Sequence, residues 1–169
     1  EIPDWDFEHV VAQTDQKWNR ELAKVRIESP DTAALNIFYT GMYHAFLQPN
    51  LFNDCNKDYR GTDKKEYTGA DFDNYTVFSL WDTYRAAHPL YTILQPERVP
   101  DFIRSMLAIY EQQGLLPVWH LYGSDTKEMI GIQSVPVIAD AILKGVPGFD
   151  YEKAFEAMKS SMLSNYKGL

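Results

Sequence analysis

Apolar positions along the chain recur mainly at helical spacing. Between Asp6 and about Ile27, the residues Val11, Trp18, Leu22 and Val25 follow one another at intervals of seven, four and three, which puts them on one face of a long first helix. Ser29, Pro30 and Asp31 then read as an N-cap, a proline at the first helical position and an acid in the first turn. Leu35, Phe38, Met42 and Phe46 supply the buried stripe of this second helix, which must stop before Pro49. A third helix is predicted from about Val77 to Ala87, ended or kinked by Pro89. A fourth runs from about Pro100 to Gln113, with Ile103, Met106, Leu107 and Tyr110 inward and Gly114 as its stop. The fifth spans about Val135 to Leu143 and ends at Gly145, and the sixth starts at an Asp150 N-cap with Phe155, Met158 and Met162 on its inner face.

Two stretches break this rhythm. Residues 49–75 are crowded with Asn, Asp, Gly and Pro, yet Phe52, Tyr59 and Tyr67 are interleaved among them. A long irregular segment of that kind is functional or disordered, and its aromatics favour an ordered excursion with a short hairpin near Tyr59 to Tyr67. Leu115 to Thr126 is a second aromatic loop. Helix pairs alternating with long, aromatic, acidic loops predict an all-α toroid whose loops gather at one face, where binding residues concentrate.

Composition narrows the function. The 169 residues hold 16 Lys+Arg against 24 Asp+Glu, a formal charge of −8, and one cysteine, Cys55. A chain of this size buries roughly 68–70% of its unfolded surface, so it builds a core without staples. Acidity without a basic cluster argues against nucleic acid, whose binding depends on basic patches that release counterions. No apolar run reaches the roughly 20 residues that span a bilayer. The start, Glu1-Ile2-Pro3-Asp4, carries neither a basic n-region nor an initiating methionine, which is expected of a numbering that begins inside a longer or processed polypeptide. A lone cysteine forms no internal disulfide and no Cys-rich zinc site.

Candidate chemistry is sparse. Asp54 to Asp58 opens like a calcium loop, but the sixth and twelfth positions, where an EF-hand needs Gly and Glu, hold Tyr59 and Lys65, so a turn-forming loop is the better reading. Trp81-Asp82 offers what a sugar site needs: an aromatic plate for the apolar C–H face and a carboxylate that accepts from neighbouring hydroxyls. The alternative is a core tryptophan beside an aspartate paired with Arg85. Trp119 is a loop aromatic beside His120. A lone histidine is more often a packing or surface residue than a catalytic one, and His9, His44 and His88 lack metal-ligand spacing. Asp125 and Glu128 read as an acid pair at a helix start. No phosphate loop, nucleophile elbow or Cys/His arrangement is present, so the chain contains no self-sufficient catalytic motif.

Longer motifs are more specific. The runs Phe38-Tyr39-Thr40-Gly41-Met42-Tyr43-His44-Ala45, Pro49-Asn50-Leu51-Phe52, Tyr59-Arg60-Gly61 and Asn74-Tyr75-Thr76-Val77-Phe78-Ser79-Leu80-Trp81-Asp82-Thr83-Tyr84-Arg85 closely resemble glycoside hydrolase family 92. The resemblance continues through Leu116-Pro117-Val118-Trp119, Met129-Ile130-Gly131, Val135 to Ala141 and Gly148-Phe149-Asp150, and covers about Trp5 to Tyr166.

The resemblance implies an exo-acting, calcium-dependent, inverting α-mannosidase in which a β-sandwich is joined by a helical linker to an (α/α)6 barrel. Residues 1–28 correspond to the linker helix and 29–169 to the N-terminal part of the barrel. Inversion needs two carboxyl groups about 6.5–9.5 Å apart. The family's acid and base segments have no match here, so no catalytic residue is expected within the chain. What carries over is substrate contact: Trp81 and Asp82 as mannose-binding residues, with Arg60, Trp119 and Asp125 as further candidates for the same pocket. Two departures bear on linkage preference: Gly123-Ser124-Asp125-Thr126 stands where many relatives read Gly-Asn-Glu-Thr, and Gly131-Ile132-Gln133-Ser134 where they read Gly-Tyr-His-Ser. Calcium is expected in the complete enzyme without an assignable ligand in this stretch. The implied partners are a mannose-containing glycan and the remainder of the polypeptide, in an extracytoplasmic setting. The competing readings are a non-catalytic helical carbohydrate-binding module and a structural helical domain.

Overall fold

The computed structural model describes residues 5–165. The chain divides into two compact units, Glu1–Leu47 and Gln48–Leu169. The terminal tetrapeptides read above, 1–4 and 166–169, lie outside the described residues.

The first unit is a helix pair, α1 (Phe7–Leu22) and α2 (Thr32–Ala45). Asp6 caps α1 by accepting from the Glu8 and His9 N–H groups. The helix stops at Leu22, short of Ile27, because Tyr39 claims the following segment: its hydroxyl donates to the Val25 carbonyl at 3.1 Å and accepts from the Ile27 N–H at 3.3 Å. The cap of α2 is Asp31 rather than Ser29. The Asp31 carboxylate accepts from Ala33 and Ala34, while the Ser29 hydroxyl accepts from the Asp31 N–H one step upstream. The predicted α2 stripe is inward, with Met42 buried and Leu35, Phe38 and Phe46 partly so. Trp18 and Tyr43 lock the pair, their ring centroids 4.6 Å apart.

The second unit is built around α5 (Val99–Gln113), whose residues Phe102, Ile103 and Ser105 through Ile109 are all buried. A helix buried around most of its circumference is an inner element. It packs on α6 (Ser134–Leu143) and α7 (Tyr151–Met162), and α6 also meets α4 (Ala87–Leu94). Gly114 ends α5 at φ 77°, the left-handed cap that glycine adopts without a Cβ penalty. The inward face of α7 is Ala154, Ala157 and Ser161, one position away from the expected Phe155, Met158 and Met162. Small residues let the helix lie close to its neighbours, and the Ser161 hydroxyl accepts from the Leu116 N–H at 3.0 Å. Phe155 and Met162 are consequently exposed, as are Ile93 on α4 and Leu143 on α6.

The all-α expectation with a single hairpin is incomplete, because seven short strands form three small antiparallel sheets among the described residues. β1 (Asn50–Leu51) pairs with β4 (Tyr75–Thr76), and β2 (Tyr59–Arg60) with β3 (Glu66–Tyr67), the hairpin foreseen in the sequence. The region expected to be a continuous third helix instead holds strand β5 (Phe78–Ser79) and the single-turn helix α3 (Leu80–Thr83). Pro89 ends neither helix. It sits in the first turn of α4, where a missing N–H costs nothing. The Leu115 to Thr126 loop carries β6 (Trp119–Leu121) and β7 (Ser124–Asp125), which complete the order β5-β6-β7.

A strained residue makes this arrangement possible. Val77 is buried and adopts φ 62°, a conformation that β-branched residues rarely take. It lies between β4 and β5 and turns the chain from pairing with β1 to pairing with β6.

Candidate functional site

The β5-to-α3 junction displays Trp81 and Asp82. Ser79 is both the last residue of β5 and the residue preceding α3, so the helix starts directly off the sheet. Its hydroxyl donates to one carboxylate oxygen of Asp82 at 2.5 Å, a Ser-x-x-Asp spacing that resembles half of a capping box turned side chain to side chain. Thr83 closes the turn by donating to the Ser79 carbonyl at 3.0 Å.

Trp81 is partly exposed and Asp82 exposed. The expected alternative, an Asp82–Arg85 ion pair, does not form: the Arg85 guanidinium lies over the Tyr84 ring at 5.3 Å. The Trp81 and Tyr84 rings are 6.4 Å apart and tilted by 40°. A partly exposed tryptophan thus sits next to an exposed carboxylate, one oxygen of which is held by Ser79.

Trp119 joins the same neighbourhood through the sheet, since its backbone is the register partner of Ser79. Asp125 holds it there. One carboxylate oxygen accepts from the Trp119 N–H at 3.0 Å and the Lys127 N–H at 3.1 Å, and the other from the Val118 N–H at 2.9 Å and the Gln113 side-chain amide at 3.2 Å. Four donors consume most of a carboxylate's accepting capacity. Asp125 therefore organises the hairpin, and no helix begins beside it, contrary to the acid-pair reading with Glu128. The hairpin turn is Tyr122-Gly123 with φ 44° and 75°, the paired positive φ that a two-residue loop requires.

Behind these residues lies a polar pair that the sequence did not single out. Thr76 accepts from the Tyr122 N–H at 2.8 Å and lies 3.0 Å from Nδ1 of His120. His120 is buried, its Nε2 has no partner, and desolvation lowers its pKa to about 4, so it stays neutral and packs as expected of a lone histidine. His88 behaves likewise among Phe78, Tyr91 and Phe102, with its pKa lowered by burial to about 4.

Arg60 stands apart on β2. Strand alternation sends Tyr59 inward and Arg60 to solvent. Its link to the other candidates is through its carbonyl oxygen, which lies 3.5 Å from where a Cβ on Gly123 would stand. Sheet pairing thus sets Trp119, with Asp125 bonded to it, opposite Ser79, which leads into the helix that carries Trp81 and Asp82, and leaves the Arg60 side chain outside that sheet. Ser79 is the residue missed by sequence reading, although its spacing to Asp82 was visible.

In the Asp54 to Asp58 loop, the Asp58 carboxylate accepts from the Asn56 side chain at 2.6 Å and from the Gly69 N–H at 2.8 Å. Among the described residues no three His, Cys, Asp or Glu side chains converge. No helix among them is long and apolar enough to cross a membrane.

The Glycosyl hydrolase family 92 catalytic domain matches residues 1–168. Among solved structures, the chain is 44% identical to the family GH92 alpha-mannosidase BT3965 from Bacteroides thetaiotaomicron, with a TM-score of 0.94 over 98% of this chain and 23% of that one. A further structure of BT3965 is a complex with mannoimidazole. The family GH92 inverting mannosidase BT2199 from the same species is 33% identical, with a TM-score of 0.86 over 94% of this chain and 22% of that one. An uncharacterized secreted glycosidase of Arthroderma benhamiae is 24% identical over 163 residues, which is 94% of this chain and 17% of that protein. The chain thus spans less than a quarter of the length of each of these relatives.

Proposed function

Because the chain belongs to glycosyl hydrolase family 92, we propose that it is the part of an exo-acting α-mannosidase that grips the terminal mannose, while general acid and base come from the remainder of the polypeptide. On this reading residues 1–28 are the linker helix and 29–169 the N-terminal part of an (α/α)6 barrel. The observation that carries it is Asp82: exposed, unpaired with Arg85, oriented by Ser79 and adjacent to a partly exposed tryptophan. A hexose offers an apolar C–H face for the Trp81 ring and vicinal hydroxyls for a fixed carboxylate.

The division of labour follows from chemistry. Trp81 and Asp82 hold and orient the sugar, Trp119 supplies a further wall, and Asp125 acts through Trp119 as a positioning residue. Arg60 is the weakest candidate, reaching the pocket only if the complete protein turns its side chain there. Inversion places a water between two carboxyl groups, and the remainder of the polypeptide is proposed to supply both. The same holds for calcium, whose ligands we assign outside this stretch. Exposed Ile93, Leu143, Phe155 and Met162 suit a surface covered by the rest of the barrel. The secreted relative supports an extracytoplasmic setting.

In the complete enzyme, Trp81→Ala and Asp82→Asn are each expected to lower kcat/KM for an aryl α-mannoside by about a hundredfold or more, the scale of losing an aromatic contact or a charged hydrogen bond at the reacting sugar. The 169-residue chain alone should show no turnover, with or without calcium. Full activity in both variants would overturn the assignment of the mannose site. Mannose binding by a complete polypeptide that never turns over would favour the binding-module reading.

A further inference from the structure

A cavity of about 730 Å³ opens between the β2–β3 hairpin, the second half of α5 and the start of α7. None of its lining residues belongs to the Trp81, Asp82, Trp119 and Asp125 group. Its volume lies within the roughly 300–1,000 Å³ typical of small-molecule sites. The strand alternation that sends Arg60 outward turns Tyr59 into this cavity, so the hairpin forms a wall between it and the β6–β7 turn.

Three aromatic rings form one side. Tyr59 and Tyr67 stack with centroids 5.2 Å apart at 12°, and Phe72 meets Tyr59 edge-on at 6.0 Å. Gln112 pins this wall, accepting from the Thr62 N–H at 2.8 Å while its amide donates to the Tyr59 hydroxyl at 3.4 Å. Across the opening run two ion pairs, Asp71 with Arg104 and Glu111 with Lys153. Arg104 also lies over the Phe72 ring at 5.0 Å.

The chemistry of this lining selects a ligand class. Each cation already has its anion, and the one further carboxylate, Asp150, caps α7 by accepting from the Lys153 N–H, so a charged ligand gains little net attraction and must displace a partner. A neutral polyol gains donors and acceptors held in fixed directions, and aromatic walls receive its C–H faces. An apolar ligand would bury five charged groups, Asp71, Arg104, Glu111, Asp150 and Lys153, without replacing their water. We propose that this cavity is a second saccharide-binding site, one that holds a neutral glycan segment apart from the Trp81–Asp82 site. It goes beyond the mannose contacts and does not depend on them, because the two sites share no residue.

Calorimetric titration of the complete polypeptide carrying Trp81→Ala, with α-linked mannotetraose as the probe, separates the two sites. One binding event is expected to remain, weakened about tenfold or more by adding Glu111→Ala or Tyr67→Ala, as expected for removing a charged hydrogen bond or a stacked ring. Glu111→Ala changes a surface side chain and keeps the test decisive if Tyr67→Ala disturbs the hairpin. In the Trp81 background of the native protein, Glu111→Ala should leave turnover of a small aryl α-mannoside unchanged. Loss of all binding in Trp81→Ala, or a remaining event indifferent to both cavity substitutions, would overturn the second site. An unchanged set of two binding events in Trp81→Ala, with one weakened by Glu111→Ala, supports the cavity and counts against the mannose site instead.

Discussion

The backbone N–H of Trp119 donates to the carboxylate of Asp125 at 3.0 Å, so the register partner of Ser79 in the sheet is held by an acid six residues later. The same carboxylate also receives Val118, Lys127 and Gln113. Asp125→Ala would strip partners from three backbone N–H groups at once. The expected cost is on the order of 2–4 kcal/mol in urea unfolding, together with weaker mannose binding. Asp125→Asn should cost less, since one oxygen survives to accept. A change below about 1 kcal/mol in the alanine variant would show that the hairpin stands without its acid.

The two buried histidines predict acid sensitivity. His88 and His120 both have folded-state pKa values lowered by burial to about 4, against about 6.5 when unfolded. Between those values the unfolded chain binds the additional protons. The stability due to neutral histidine is therefore complete above about pH 6.5, falls as pH drops towards 4, and flattens below that. Each histidine contributes on the order of 2–3 kcal/mol to this loss. Urea midpoints measured from pH 7 to pH 4.5 should fall, and His88→Phe should flatten the slope. A pH-independent midpoint across that window would mean that neither histidine is buried in the neutral form.

Val77 makes a differential prediction. Its positive φ stores about 1–3 kcal/mol of backbone strain that glycine would relieve. Val118 is equally buried without that conformation. Val77→Gly should therefore destabilise by at least about 1 kcal/mol less than Val118→Gly, which loses a buried side chain with no strain to release. Equal costs in thermal unfolding would count against strain at the switch between β4 and β5.

Gly61 packs against two residues that line the cavity, Tyr67 and Gln112: a Cβ there would come within 2.6 Å of the Tyr67 ring, 2.8 Å of the Asp63 carboxylate and 2.9 Å of the Gln112 side chain. Gly61→Ala is expected to cost about 1–3 kcal/mol by overpacking and to weaken the cavity's mannotetraose binding while sparing aryl mannoside turnover. Gly41, with open space around its would-be Cβ, provides the control: Gly41→Ala should be neutral or slightly stabilising in its helix. Equal effects of the two substitutions would contradict the packing described.

Local rules were legible in the residues themselves. The α5 helix with its Gly114 stop, the Asp150 cap, the Tyr59–Tyr67 hairpin and the inward stripe of α2 each follow from periodicity or from the conformational freedom of one residue. The family motifs, carried by contiguous residues, were equally readable. Only the tertiary structure decided three matters. Phe78-Ser79 became a strand because β6, some forty residues later, offers a pairing edge, and no local propensity records a partner so distant in sequence. The face of α7 shifted by one position because Ala154, Ala157 and Ser161 permit a close approach to neighbouring elements that Phe155 would block. Asp82 turned to Ser79 rather than Arg85 because Arg85 found the Tyr84 ring. Composition and spacing determine which groups are available, whereas the competition among their partners is resolved only when distant segments meet.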